Sequence, residues 1–279
     1  MKQRFTFLLF IVLFGTSLFA AAQEGASADT YLAKGLEHYE AGRYKEALQS
    51  YQEGVRLAPK NVNIHYNLGR AYYALGQWNQ AIDAYQETLR LKPDSSNAHV
   101  SLGMTYHQQG RFGEAVKSYK KAVQIKPDMA EAYWNIGLSH HFAKQYSEAI
   151  AAYGEYARLK PSAANEFQYQ FNRGDAFRSI GQNAAAVEAF KLAVALKQDN
   201  ADSNFGLGMA HLANRQFAEG VKALTRATVI KPGTISYELE LGRAYIGVGN
   251  RKAALQQHTK LKSLNKDAAN ELLRDIDGR

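Results

Sequence analysis

Residues 67–93 read NLGRAYYALGQWNQAIDAYQETLRLKP and residues 101–127 read SLGMTYHQQGRFGEAVKSYKKAVQIKP, one skeleton written twice at a displacement of 34 positions. Each recurring residue has a mechanical reason. Leu68, Tyr72 and Leu75 are at helical spacing, which predicts a first helix with a single apolar stripe. Gly76 stands where a helix C-terminus takes a left-handed residue, and Trp78 follows it in the turn. Ala81, Tyr85 and Leu89 form the stripe of a second helix, which Pro93 ends because proline lacks the amide hydrogen and clashes with the preceding turn. The unit is a helical hairpin. Small Gly69 and Ala81 lie on its facing stripes and let the helices approach, while Tyr72 and Tyr85 fill the space above and below.

Working outward, the same glycine recurs as Gly35, Gly69, Gly103 and Gly137 at steps of 34, then, after one step of 37, as Gly174, Gly208 and Gly242. Twelve residues after each comes Ala47, Ala81, Ala115, Ala149, Ala186, Gly220 or Ala254, and four further on Tyr51, Tyr85, Tyr119, Tyr153, Phe190, Leu224 or His258. Pro59, Pro93, Pro127, Pro161 and Pro232 close five of the seven units. A single hairpin cannot bury its apolar face, so a row of them must stack on one another.

A Leu-Gly pair, a later Tyr, an Ala, an aromatic four residues on and a closing Pro make a pattern that resembles the tetratricopeptide repeat family. The resemblance implies an all-α, right-handed solenoid of seven hairpins over residues 28–268, with repeats at 28–61, 62–95, 96–129, 130–163, 167–200, 201–234 and 235–268. It further implies a capping helix at 269–279, where Leu272, Leu273 and Ile276 fall on one side. Lys34 and Arg173 replace the usual leucine, and Gln198 and Lys266 replace the closing proline, so the first, fifth and seventh units are expected to be less regular. Three residues are inserted between Pro161 and Gly174. Either a loop or a longer helix absorbs them, or the path of the solenoid bends there.

The N-terminus carries Lys2 and Arg4 before the apolar run 5–19 and the small residues Ala20, Ala21 and Ala22. That pattern predicts a secretory signal peptide over 1–22, cleaved after Ala22 and followed by a short linker at 23–27; the run is shorter than a membrane span needs. The expected location is periplasmic or secreted, with no stable membrane anchor after cleavage. The chain has no cysteine, hence no disulfide, thiolate metal site or lipid-bearing cysteine. Its formal charge of +8 is dispersed over the whole length, which suits solubility and encounter rates better than nucleic-acid binding.

Catalytic signatures are absent: there is no HExxH, GxxxxGK[ST], GxSxG or calcium loop. Glu114 and Glu148 recur just before the alanine of a second helix, where a negative charge suits a helix N-terminus. His107 and His141 stand 34 apart, but no carboxylate repeats with them, so no metal and no cofactor is expected; His140 replaces a core tyrosine.

In the family that this chain resembles, first helices line a concave groove. Helical phase counted from each glycine places there Tyr66, Arg70 and Tyr73, then Val100, Met104 and His107, then Trp134, Leu138, His141 and Phe142. Phe171, Asp175 and Arg178, Phe205 and Met209, and Leu239 and Arg243 continue the row. Aromatics, methionine and arginine are the residue types enriched in binding hot spots, and Trp134 stands out first. The five-residue carboxylate clamp of co-chaperone members is not expected, because only Asn67 is in place. Asn67, Asn135 and Asn172, two residues before their glycines, are similar to an asparagine ladder that holds a ligand's backbone, although asparagine there also bonds locally. The expected function is a non-catalytic scaffold or adaptor that binds a peptide or partner helix in the groove, in bacterial envelope assembly and without nucleic acid. The alternative is a periplasmic carrier or assembly factor for a glycan or other ligand.

Overall fold

The structure is a computed structural model that describes residues 27–278. The leader expected over 1–22, its cleavage point and residues 23–26 lie outside the described residues. Among the described residues there are fifteen α-helices, one 3-10 helix and no strand. The chain divides into two compact units between Pro127 and Asp128.

The N-terminal unit holds three hairpins: α1 (Ala28–Glu40) with α2 (Tyr44–Leu57), α3 (Val62–Ala74) with α4 (Trp78–Leu91), and α5 (Ser96–Gln108) with α6 (Phe112–Ile125). The C-terminal unit holds α7 (Ala130–Phe142) with α8 (Tyr146–Leu159), the 3-10 helix Pro161–Asn165, α9 (Phe167–Ser179) with α10 (Asn183–Leu196), α11 (Ala201–Ala213) with α12 (Phe217–Ile230), and α13 (Ile235–Gly247) with α14 (Arg251–Leu264). A last helix, α15 (Lys266–Asp277), begins three residues ahead of the expected cap. The first helices α1, α3 and α5 touch in succession in the N-terminal unit, as do α9, α11 and α13 in the C-terminal unit, so they form one layer.

Local chemistry starts and stops these helices. The side-chain oxygens of Ser27, Asn61, Ser95 and Asn200 accept from backbone amides of the first turns of α1, α3, α5 and α11, groups that have no partner inside a helix. The turn inside each hairpin needs a left-handed residue, supplied by Gly42, Gly76, Gly110, Gly181 and Gly249 at φ of 71–75°. Lys144 and Arg215 hold the same place in the fourth and sixth hairpins at φ 59°.

The expected irregularity of the first, fifth and seventh hairpins does not show in helix length: every first helix has 13 residues and every second helix 14. Arg173 keeps the leucine's role by laying its guanidinium over the Phe177 ring at 5.0 Å. Asn200 and Asn265 cap α11 and α15 after the two turns that lack proline.

The hairpins close over their glycines. A Cβ at Gly35, Gly69, Gly103 or Gly137 would lie 2.3–2.7 Å from the ring of Tyr51, Tyr85, Tyr119 or Tyr153, all of them buried. The glycine is required because the tyrosine of its own second helix sits where the methyl would be. In the seventh hairpin the seat over Gly242 is taken by Leu272 of α15 and not by His258. The last helix therefore completes the core, and Leu272 and Ile276 are buried in it while Leu273 is half-buried.

Polar staples hold successive turns in place. His65, His99, Gln170 and Asn204, each four residues before its glycine, donate to the carbonyls of Pro59 (2.9 Å), Pro93 (3.1 Å), Ala164 (2.9 Å) and Gln198 (3.3 Å) in the turn that precedes the helix. His140 and His211 donate to Gln145 and Gln216 at 2.7 Å, and His38 accepts from Arg43 at 2.9 Å, across the turn inside the hairpin. Five of the chain's eight histidines are committed to these contacts. The inserted residues form the 3-10 helix, which is fastened on both sides: Ala163 is buried, Tyr156 donates to Glu166 at 2.6 Å, and Lys160 pairs with Glu166 at 2.8 Å.

Candidate functional site

In the N-terminal unit, α1, α3 and α5 leave a cleft of about 170 Å³ lined by Tyr39, Tyr66, Arg70, Tyr73, Tyr85, Ser101 and Met104. Four of these, Tyr66, Arg70, Tyr73 and Met104, belong to the row that helical phase predicts. One turn of α3 separates Tyr66 from Arg70 and another brings Tyr73 to the same side, so a single helix supplies the floor. Tyr66 shares a hydrogen bond with Ser101 at 3.4 Å and its ring leans on Tyr85 at 5.9 Å. Tyr73 meets Trp78 edge to face at 5.1 Å. Each tyrosine is therefore held in one orientation before any ligand arrives. Burial pushes the Tyr85 phenol far above its usual range, so it stays neutral.

Arg70 is the one charged residue of the cleft. Its guanidinium stacks on the Tyr39 ring at 4.3 Å and one Nη1 hydrogen goes to Asn67 Oδ1 at 2.9 Å. Asn67 in turn donates to the Asn63 carbonyl at 2.8 Å and is buried. Both ends of that asparagine are committed to holding Arg70 and the helix, which is the local use of the residue and not an open rung for a ligand's backbone. His107 lies beside Phe112 at 5.2 Å, outside the cleft, with burial pulling its imidazole below the ordinary value.

The C-terminal unit places its share of the predicted row differently. Trp134, expected to lead the site, is half-buried against Tyr153 and Tyr156, both at 5.3 Å, and belongs to the packing of the fourth hairpin. Phe171 packs between Phe167 and Phe190, and Phe205 stacks on Tyr237 at 4.7 Å. Asn172 is buried and accepts from Gln168 at 2.9 Å; Asn135, Leu138 and Met209 are half-buried. Asp175 joins His141 (3.2 Å) to Arg178 (2.6 Å), and the hydrogen bond from His141 first, then that from Arg178, hold its carboxyl below the usual range against the opposing effect of burial. Arg243 is enclosed by Glu240 at 2.7 Å, by Asp275 at 2.8 Å and by Glu271, the last two from α15. Phe142 is the most open of the predicted residues, 58% exposed.

Tyr39, Tyr85 and Ser101 complete the cleft although they are absent from the predicted row. Tyr39 stands four residues after Gly35, the offset of Tyr73 from Gly69, so the phase rule extended to the first hairpin finds it. Tyr85 carries no such signal, since it is also the core residue over Gly69. Among the described residues no group of three or more His, Cys, Asp or Glu could hold a metal ion, and no helix is long and apolar enough to cross a membrane.

Stacked hairpins whose helices have 13 and 14 residues, five of them with a glycine under a second-helix aromatic, define a helical-repeat protein with a polar and aromatic cleft on the first-helix layer of its N-terminal unit. The chain belongs to the tetratricopeptide repeat family, whose patterns match residues 35–76, 66–130, 130–162 and 174–214. No curated protein sequence matches it significantly. Among solved structures it is similar to YrrB, described as a tetratricopeptide repeat protein with an unusual peptide-binding site, at 16% identity and TM-score 0.61 over 67% of this chain and 95% of that one. A tetratricopeptide repeat protein from Parabacteroides merdae matches at 16% identity and TM-score 0.61, covering 90% of this chain and 99% of that one. MamA matches at 24% identity and TM-score 0.57, covering 63% of this chain and 95% of that one. These likenesses concern the fold.

Proposed function

We propose that the protein is a non-catalytic interaction scaffold that takes a peptide, or an extended or helical segment of a partner protein, in the first-helix cleft of its N-terminal unit. The observation that carries this reading is Arg70, held in place by Tyr39 and Asn67 and surrounded by fixed aromatic rings at the mouth of an open cleft. Aromatic and arginine anchors already locked by their neighbours lose little entropy on binding, which is the usual composition of an interface hot spot. The peptide-binding description of YrrB supports a peptide as the class of ligand. In the C-terminal unit Phe142, Leu138 and Met209 are the predicted groove residues we retain as secondary contacts. We place the protein outside the cytoplasm, periplasmic or secreted, in bacterial envelope assembly, on the strength of the leader-like residues 1–22.

Calorimetric titration of the full chain with peptides and, separately, with oligosaccharides tests the reading. Peptide binding that is lost in Tyr66→Ala and only slightly weakened in Phe142→Ala is the expected result. Binding of oligosaccharides alone would support the glycan carrier, and binding indifferent to Tyr66→Ala would remove the cleft from the account.

A further inference from the structure

Two arginines stand one residue after the glycine of their hairpins: Arg70 after Gly69, and Arg243 after Gly242. Both lie on first helices and both have a neighbouring helix packed alongside. For Arg243 that neighbour is α15, whose Glu271 and Asp275, one helical turn apart, grip the guanidinium together with Glu240. For Arg70 the neighbour is α5, which turns Ser101 and Met104 toward it. Arg178, a further first-helix arginine, is paired with Asp175. Among the described residues Arg70 has no carboxylate partner: its contacts are the Tyr39 face and the Asn67 carbonyl oxygen.

A guanidinium carries five N–H donors in a planar fork that matches a carboxylate. Asn67 uses one of them, and no Asp or Glu stands among the residues that line the cleft. The protein thus solves the same local problem in two ways, with acidic residues of its own last helix in the seventh hairpin and with nothing of its own in the second. Removing water from an arginine without giving it a counter-charge is costly, so an occupant that covers this cleft must bring one.

We infer that the segment bound in the N-terminal cleft carries an Asp or Glu side chain that pairs with Arg70, as Glu271 and Asp275 pair with Arg243, with an apolar or aromatic neighbour set against Tyr66 and Met104. The inference rests on the reading of this cleft as a peptide site and names the chemistry of its ligand. It differs from a multi-residue carboxylate clamp, since one arginine backed by a tyrosine face does the recognition.

The experiment selects binders of the full chain from a display library of random peptides and measures them by fluorescence polarisation. Enriched peptides are expected to share one acidic position. Its change to the amide, and Arg70→Gln in the protein, each weaken binding about tenfold or more, and the two changes together cost little more than either alone. Arg70→Lys keeps the charge but not the fork and loses less. Should Arg70→Gln disturb folding, judged by its thermal melt, the wild-type chain decides through salt: affinity for the acidic peptide falls as ionic strength rises, while affinity for its amide form does not. Peptides that lack an acid, bind at the cleft by the Tyr66→Ala criterion and ignore Arg70→Gln overturn this inference and leave the cleft standing. Peptides indifferent to Tyr66→Ala, or no enrichment at all, overturn both.

Discussion

Gly137 and Gly154 lie in the two helices of one hairpin, and the structure assigns opposite consequences to the same substitution at each. A methyl on Gly137 would sit 2.4 Å from Cδ1 and Cε1 of Tyr153. Carbon atoms in ordinary contact stand about 3.5–4.0 Å apart, so ring or helix must give by about an ångström. The ring cannot yield freely, because Tyr153 is fully buried and bounded by Trp134 at 5.3 Å and Tyr169 at 6.4 Å. Overpacking of that kind costs about 1–3 kcal/mol, which the better helix propensity of alanine offsets by about 1 kcal/mol. A 2.4 Å approach to a fully buried ring belongs in the upper part of that range, about 2–3 kcal/mol, so Gly137→Ala is expected to destabilise by about 1–2 kcal/mol net. Gly154, in the interior of α8, is exposed and has nothing within 4 Å of a new Cβ, so Gly154→Ala gains the propensity term alone, about 0.5–1 kcal/mol. At about 2–4 °C per kcal/mol for a protein of this size, the two variants should melt about 3–12 °C apart on either side of wild type. Circular dichroism at 222 nm, far-ultraviolet helix signal against temperature, reads this directly. A shift of both variants in the same direction would show that the tyrosine seat does not require glycine.

Trp134→Ala removes a side chain packed on two tyrosine rings and should cost about 3 kcal/mol in stability while leaving peptide affinity at the N-terminal cleft unchanged, as thermal melts and titration on the same variant will show. Lys144→Gly relieves a left-handed non-glycine residue and should stabilise by about 0.5–1 kcal/mol, net of the added freedom of the unfolded chain, measured by urea midpoint. Asp175 titrates below its unfolded value, so its contribution is present above the ordinary carboxylate range near pH 4 and is lost as pH falls through the lowered folded value. Asp175→Asn should accordingly be less stable than wild type at pH 7 and converge with it in acid; a constant difference across both would refute the pairing. Glu238 is wholly buried with Lys260 as its ion-pair partner, so Lys260→Ala should destabilise by about 2 kcal/mol and Lys260→Arg much less, by the same urea assay.

Much of this fold is legible because its determinants are local. The glycine, the alanine twelve residues on and the aromatic after that are spaced within one hairpin, so Gly69 and Tyr85 announce their contact in the sequence alone. Turn glycines and capping asparagines act within a few residues and read equally well. The last core seat does not: that Leu272 covers Gly242 while His258 turns elsewhere depends on a helix that breaks the repeat. The candidate site divides along the same line. Helical phase finds which side of α3 Tyr66 and Arg70 occupy, but whether an outward residue stays open depends on rings contributed by other helices. Trp134 and Arg70 share a predicted face, yet Tyr153 and Tyr156 cover the first while Tyr39 only backs the second. The histidines show the converse, since nothing in the repeat pattern announces that His65 and His99 serve as donors to carbonyls six residues earlier.

The central claim is that ligand binds to the first-helix layer of the N-terminal unit. Amide hydrogen exchange of the full chain, with and without a peptide selected for binding, tests it most directly. Slowed exchange in residues 62–74 and 96–108, abolished by Tyr66→Ala, is the result predicted. Protection confined to the second helices at 78–91 and 112–125, or to the C-terminal unit alone, would contradict it.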